Sequence, residues 1–176
     1  MARRSWAAAT TSPRSSDTCA TTCLPHHEKR GAMPEITTRR TLNVAAQKAW
    51  ALVSDPSRFA EWNTLHTRWE SEPPTSLELG TRVTEVVTIK GVVDRIDFTT
   101  TAYDAPRYVQ LEGNGSTGSS VQLDFAIDPE GTEACVATLH VVFTSSILFG
   151  PLGSIIRKAF RKHLDESLER LNDLLA

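Results

Sequence analysis

Cysteine is scarce in this chain, and neither sign of charge dominates. The three cysteines, Cys19, Cys23 and Cys135, are an odd number among 176 residues, which excludes a fully paired disulfide framework. Such usage fits a reducing compartment, so a cytoplasmic protein is expected. Nineteen basic and 21 acidic residues leave a net charge of −2. No global field then draws the chain to nucleic acid or an anionic bilayer, and neither is expected as a partner. No apolar run reaches the ~20 residues that span a membrane. The longest, Val141–Ile156 (VVFTSSILFGPLGSII), is broken by Thr, Ser, Gly and Pro and reads as strand, turn and helix start. Arg3 and Arg4 precede a stretch too short and too polar for a signal sequence.

Catalytic signatures are missing as well. The sequence has no phosphate loop, no Gly-x-Ser-x-Gly elbow, no His-Glu-x-x-His and no dinucleotide fingerprint. Gly113-Asn114-Gly115 is followed by more strand rather than a helix, so it is not a nucleotide turn. Cys19, Cys23, His26 and His27 are zinc-ligand types, but crowded together with adjacent His they suit no common closed site. No metal and no cofactor are expected.

What is present is one patterned region behind an unpatterned one. Residues 1–32 are rich in Ala, Ser, Thr, Arg and Pro, and Leu24 is their only large aliphatic residue. Such a segment buries too little surface to offset its ordering entropy. A disordered leader or a start placed upstream of Met33 accounts for it equally. From Met33 to Ala176 the composition is that of one globular domain.

Ile36–Val44 reads as a first strand. Ala46, Ala49, Trp50 and Val53 share a helical stripe, which Asp55-Pro56 ends. Pro56 can itself open a second helical turn, whose apolar face is Phe59 and Trp62. Six strands follow: Thr67–Ser71, Thr81–Lys90, Val92–Tyr103, Arg107–Glu112, Val121–Ile127 and Glu133–Thr144. In Val92–Tyr103, Ile96, Phe98, Thr100 and Ala102 face one way, and Arg95, Asp97, Thr99 and Thr101 the other. This alternation predicts an antiparallel sheet with one wet face. Gly113–Ser120 (GNGSTGSS) reads as a flexible loop, a candidate lid. The tail from Gly150 is one long helix with the stripe Leu152, Ile155, Ile156, Ala159, Phe160, Leu164, Leu168, Leu171 and Leu175, which must face the concave sheet.

The carrying residues of a family resemblance are Val44-Ala45-Ala46, Trp50, Asp55-Pro56, Trp62, Gly80 and the Phe149–Gly153 lead into the last helix. On these, and on the element order, Glu35–Ala176 resembles the helix-grip fold of the START-like, birch-pollen-allergen-like (SRPBCC) superfamily, in its polyketide cyclase/dehydrase branch. The fold class implied is α+β: a curved antiparallel sheet of about seven strands around a long C-terminal helix, with two short helices after the first strand. Trp62–Trp69 (WNTLHTRW) and the lead also resemble small actinobacterial toxins of type II toxin–antitoxin pairs.

In that fold a cavity lies between sheet and helix. Its expected lining is Trp62, Trp69, Phe98, Leu123, Phe125, Phe160 and Leu164, although large apolar side chains are also ordinary core. His140 is the candidate general base and ligand contact if its strand turns it inward; otherwise it lies on the solvent face. Arg95, Asp97 and Glu85 are expected outside, solvated, and His163 at a helix interface. Three functions stay open. The first is binding of a hydrophobic, lipid- or polyketide-like molecule. The second is the toxin of a toxin–antitoxin pair, with an antitoxin partner. The third is a polyketide cyclase/dehydrase-like enzyme.

Overall fold

The computed structural model describes residues 35–145 and 153–176. The expected leader, with Cys19, Cys23, His26 and His27, and most of the Phe149–Gly153 lead fall outside them.

Strand β1 (Glu35–Leu42) leads into α1 (Ala46–Val53), a 3-10 turn (Pro56–Arg58) and α2 (Phe59–Trp62). The Asp-Pro signal works as the sequence implies. Asp55 is extended, Pro56 occupies the first helical position, and the Asp55 carboxylate accepts the Ser57 N–H at 3.0 Å and its hydroxyl at 2.6 Å. Capping of this kind satisfies amide donors that the helix leaves unpaired.

Strands β2 (His66–Trp69), β3 (Arg82–Ile89), β4 (Val92–Asp104), β5 (Tyr108–Gly115), β6 (Ser120–Pro129) and β7 (Cys135–Thr144) follow, and α3 (Gly153–Leu175) closes the chain. All pairings are antiparallel, in the order β1-β7-β6-β5-β4-β3-β2. Helix α3 touches β1 at one edge and β3 near the other, as well as β7 and α2. A sheet reaching the helix from both sides is curled around it, and the result is the α+β helix-grip fold.

The core lies on the concave side. Trp62, Phe98, Phe125, Leu139, Leu168 and Leu171 are buried there. Gly113 on β5 makes room for it. A Cβ at this position would lie 2.6 Å from Phe98 Cδ1 and 2.7 Å from Ile96 Cγ2, so the absent side chain lets Phe98 pack across the neighbouring strand.

Two expectations are corrected. The stretch read as a flexible loop, Gly113–Ser120, divides into the end of β5, a short tip and the start of β6. The tip is tied down, because Asp94 accepts hydrogen bonds from the Ser116, Thr117 and Ser119 hydroxyls and from the Thr117 amide. Ile155, assigned to the apolar stripe of α3, is exposed, while Ile156 is half-buried. The stripe turns fully inward only from Ala159.

Helix α3 is tethered along its C-terminal part. The Thr64 amide donates to Ser167 Oγ at 3.0 Å, and its hydroxyl to the His163 carbonyl at 2.9 Å. Lys48 reaches the Leu175 carbonyl at 3.1 Å, Thr38 bonds to Asp165, and Arg161 donates to the Thr37 carbonyl. His163 thus stands at a helix interface. Nearer the start of α3, Phe160 stacks on Phe143 with centroids 5.6 Å apart.

Candidate functional site: an apolar cavity with a polar wall

Between the concave sheet and the N-terminal half of α3 lies a cavity of about 80 Å³. Strands β3, β4, β6 and β7 present alternate residues to it, which is why its walls are mostly aliphatic and aromatic. Of the side chains expected to line it, Trp62, Phe98, Leu123, Phe160 and Leu164 do. Phe125 sits behind Trp62, beside a separate void of about 10 Å³. Trp69 packs on Phe59 and His66 outside the cavity, and its indole N–H donates to the Pro56 carbonyl at 3.0 Å.

His140 is not at the cavity. Leu139 and Val141 point in, and the alternation of β7 turns His140 out. There its Nδ1 lies 2.8 Å from the Thr37 hydroxyl and its Nε2 lies 4.0 Å from Asp124. Asp124 also accepts from Tyr108 and Gln110. Burial and the Asp124 charge push the Tyr108 hydroxyl up to about 12. The convex face therefore carries a cross-strand polar network, and the placement of His140 as a base inside the cavity is corrected. Arg95 and Asp97 are exposed with a 3.4 Å contact, as expected.

Glu85 also needs correcting. Expected in solvent, it is 2% exposed and lines the cavity. Its Oε1 lies 2.8 Å from His66 Nδ1 and 3.4 Å from Asn63 Nδ2. Burial is the main influence on the carboxyl and raises its pKa; the His66 contact opposes this without cancelling it. A buried carboxyl paired with an imidazole can exchange a proton with a bound molecule, which is the equipment of general acid–base chemistry.

Asp94 is the second carboxyl of the wall, 8% exposed. Burial works against its charge, but the hydrogen bonds from Ser119, Thr117 and Ser116 outweigh burial and hold it below its usual range. Gly115 leaves the space for this cradle, since a Cβ there would sit 2.2 Å from Asp94 Oδ2. The cavity thus has an apolar body and a wall bearing Asn63, Glu85, Asp94, Thr117 and Ser145. Such a combination is common in small-molecule sites.

One side chain that flanks the cavity has a polar atom without a partner. The Trp62 indole N–H is buried without an acceptor. An orphan of this kind costs about 1–3 kcal/mol.

Known proteins share this fold. The model of the family described as polyketide cyclase / dehydrase and lipid transport matches residues 33–176. A Mycobacterium tuberculosis protein named Toxin Rv0910 is 35% identical over 130 residues, covering 74% of this chain and 90% of its own. Among solved structures, TTHA0849 from Thermus thermophilus superposes with a TM-score of 0.66 at 17% identity, covering 80% of this chain and 95% of its own. A START superfamily protein from Mycobacterium smegmatis gives 0.65 at 16% identity, covering 81% and 99%. Among the described residues no helix is long and apolar enough to cross a membrane. With its element order, its curled sheet and a family match running through the whole patterned region, the chain belongs to the polyketide cyclase / dehydrase and lipid transport family.

Proposed function

We propose that this protein binds a hydrophobic small molecule, lipid- or polyketide-like, between the sheet and α3. The carrying observation is the cavity itself, apolar over most of its wall and edged by a few fixed polar groups. Its volume of about 80 Å³ is below the ~300–1,000 Å³ of sites for drug-sized ligands. A larger ligand therefore enters by displacing a wall. The N-terminal half of α3 is the wall that yields, because the tethers of the helix run from Arg161 to Leu175. Swinging Ile156 and Phe160 outward enlarges the cavity and leaves those tethers intact.

The test is titration with the neutral fluorescent probe N-phenyl-1-naphthylamine, using wild type and Ile156→Trp, which fills the cavity from its half-exposed rim. Saturable binding that the variant loses supports the reading. Equal binding by both proteins places the probe elsewhere and counts against it.

A second reading concerns biological role. The 35% identity to a protein named as a toxin, over 90% of that protein, supports a toxin component whose partner is an antitoxin. Growth arrest on expression, relieved by co-expressing the neighbouring small gene, is the expected result. Unimpaired growth at high expression counts against it.

A further inference from the structure

We propose that the molecule held in this cavity is an apolar alcohol, and that the Glu85 carboxyl receives its hydroxyl through Oε2. The inference rests on the binding reading above and specifies the chemistry of the molecule bound.

The two oxygens of Glu85 have different surroundings. Oε1 takes both local contacts, His66 Nδ1 at 2.8 Å and Asn63 Nδ2 at 3.4 Å. No donor among the described residues reaches Oε2. Yet Oε2 is not sealed within protein. Among the described residues, the side-chain polar atoms that are both sealed and without a partner are Trp62 Nε1 and Thr100 Oγ1. Oε2 is not of that kind, so it borders open space. Glu85 is 2% exposed and lines the cavity, and the cavity is therefore the space it meets.

The carboxyl has little freedom to turn. His66 is held against the rings of Trp69 and Phe59, with centroids 4.8 and 6.3 Å away. Asn63 is held by its own carbonyl, which accepts the Leu65 amide at 3.1 Å. Both partners keep Oε1 toward β2 and leave Oε2 to the cavity.

A hydroxyl is the group that suits this oxygen. A bare Oε2 accepts a hydrogen bond, and a protonated one donates. Burial raises the pKa of the carboxyl, so both states enter the reckoning. A hydroxyl donates and accepts, and so meets either state. A ketone only accepts and an ammonium only donates, and each meets one.

An anionic head is selected against. Asp94 stands on the same face of the sheet, diagonal to Glu85, because Glu85 pairs with Ile96 and Val87 with Asp94. Such neighbours lie about 7–8 Å apart. Asp94 is held ionised by its cradle, and no Lys or Arg among the described residues lines the cavity. A ligand carboxylate would face that charge in an apolar enclosure, where repulsion is weakly screened. The other hydroxyls of the wall are engaged: Thr117 donates to Asp94 at 2.8 Å, and Ser145 is not without a partner. With its hydroxyl on Glu85, the ligand lays its apolar body against Phe98, Leu123 and Phe160.

The experiment compares cyclopentanol with the near-isosteric methylcyclopentane on the full chain. Their affinities are measured for wild type and Glu85→Met, while the side-chain carboxyl ¹³C resonance of Glu85 is followed in wild type by NMR. The comparison across variants cancels the different hydration of the two probes, as in a double-mutant cycle. We expect the alcohol-to-alkane affinity ratio to fall about tenfold in the variant, the worth of one hydrogen bond to a carboxyl. In wild type the Glu85 resonance should move with the alcohol and not with the alkane. Cyclopentanecarboxylate, the same ring with an anionic head, should bind about tenfold more weakly than the alcohol. If Glu85→Met does not fold, the wild-type resonance and the carboxylate decide. Alkane binding with an unchanged ratio, with a Glu85 resonance indifferent to the alcohol, or with the carboxylate bound as tightly as the alcohol, overturns the inference and leaves the binding reading standing. Failure of both the alcohol and the alkane to bind wild type overturns both.

Discussion

Replacing Gly113 with Ala perturbs fold and cavity together. The new methyl would lie 2.6 and 3.0 Å from two atoms of the Phe98 ring and 2.7 Å from Ile96 Cγ2. Ordinary carbon contacts lie at about 3.5–4.0 Å, so the ring and the Ile96 side chain must each retreat by roughly 1 Å. Both are buried and line the cavity, and the open direction is into its 80 Å³ of free space. Overpacking of this kind costs about 1–3 kcal/mol, offset by about 0.4–1 kcal/mol from stiffening the unfolded chain. A net loss of about 1–2 kcal/mol is expected. For a chain of this size that lowers Tm by roughly 2–8 °C. Urea unfolding followed by tryptophan fluorescence gives the stability, and probe titration gives the affinity, which should fall as the cavity shrinks. A Gly113→Ala variant as stable as wild type, with unchanged affinity, would refute the packing of Phe98 across β5.

Other expectations follow from the same wall. Asp94→Ala strands the Ser119 hydroxyl and frees the β5–β6 tip; a loss of about 2–4 kcal/mol is expected in chemical unfolding. The folded pKa of Asp94 is depressed, so its contribution is present above the unfolded value of about 3.9 and is lost as pH falls through that value toward the folded one. Asp94→Asn should therefore flatten the acid limb of a stability–pH curve, and an unchanged limb would contradict the cradle. Glu85 has the opposite sign. Its folded pKa is raised, so ionisation weighs on the folded state, and Glu85→Gln should gain on wild type as pH rises from about 4 toward neutrality; a pH-independent difference would contradict this. Phe160→Ala should cost about 3–5 kcal/mol by calorimetry while admitting larger apolar probes than wild type. His140→Ala, on the convex face, should leave probe affinity within about twofold.

Much of this architecture could be read from residue order. The Asp55-Pro56 break, the alternation of Ile96, Phe98 and Thr100, and the long stripe from Ala159 to Leu175 each depend on local spacing, which sequence displays directly. Glu85 was legible by the same rule, since it shares parity with Val83, Val87 and Ile89, the buried or cavity-lining side of β3. Its charge suggested solvent, and its compensating partner His66 was hidden. That contact joins residues 19 apart across an edge strand whose register slips between His66 and Arg68. His140 was ambiguous because both faces of β7 carry Val, so alternation alone did not say which was inner. The Ser- and Gly-rich tip looked mobile by composition, and only Asp94, more than 20 residues earlier, reveals what its donors are for. Long-range pairs and unmatched polar atoms are properties of the packed molecule, so the orphaned Trp62 N–H had no signature in the chain.

Native mass spectrometry of the full-length protein, purified gently from its own cells, bears most directly on the claim that the cavity holds an apolar molecule. A reproducible added mass is predicted, lost on denaturation and absent from the cavity-filling Ile156→Trp variant, belonging to a predominantly apolar compound. A clean apoprotein mass, together with no binding of small apolar probes, would contradict the account and turn attention to a protein partner.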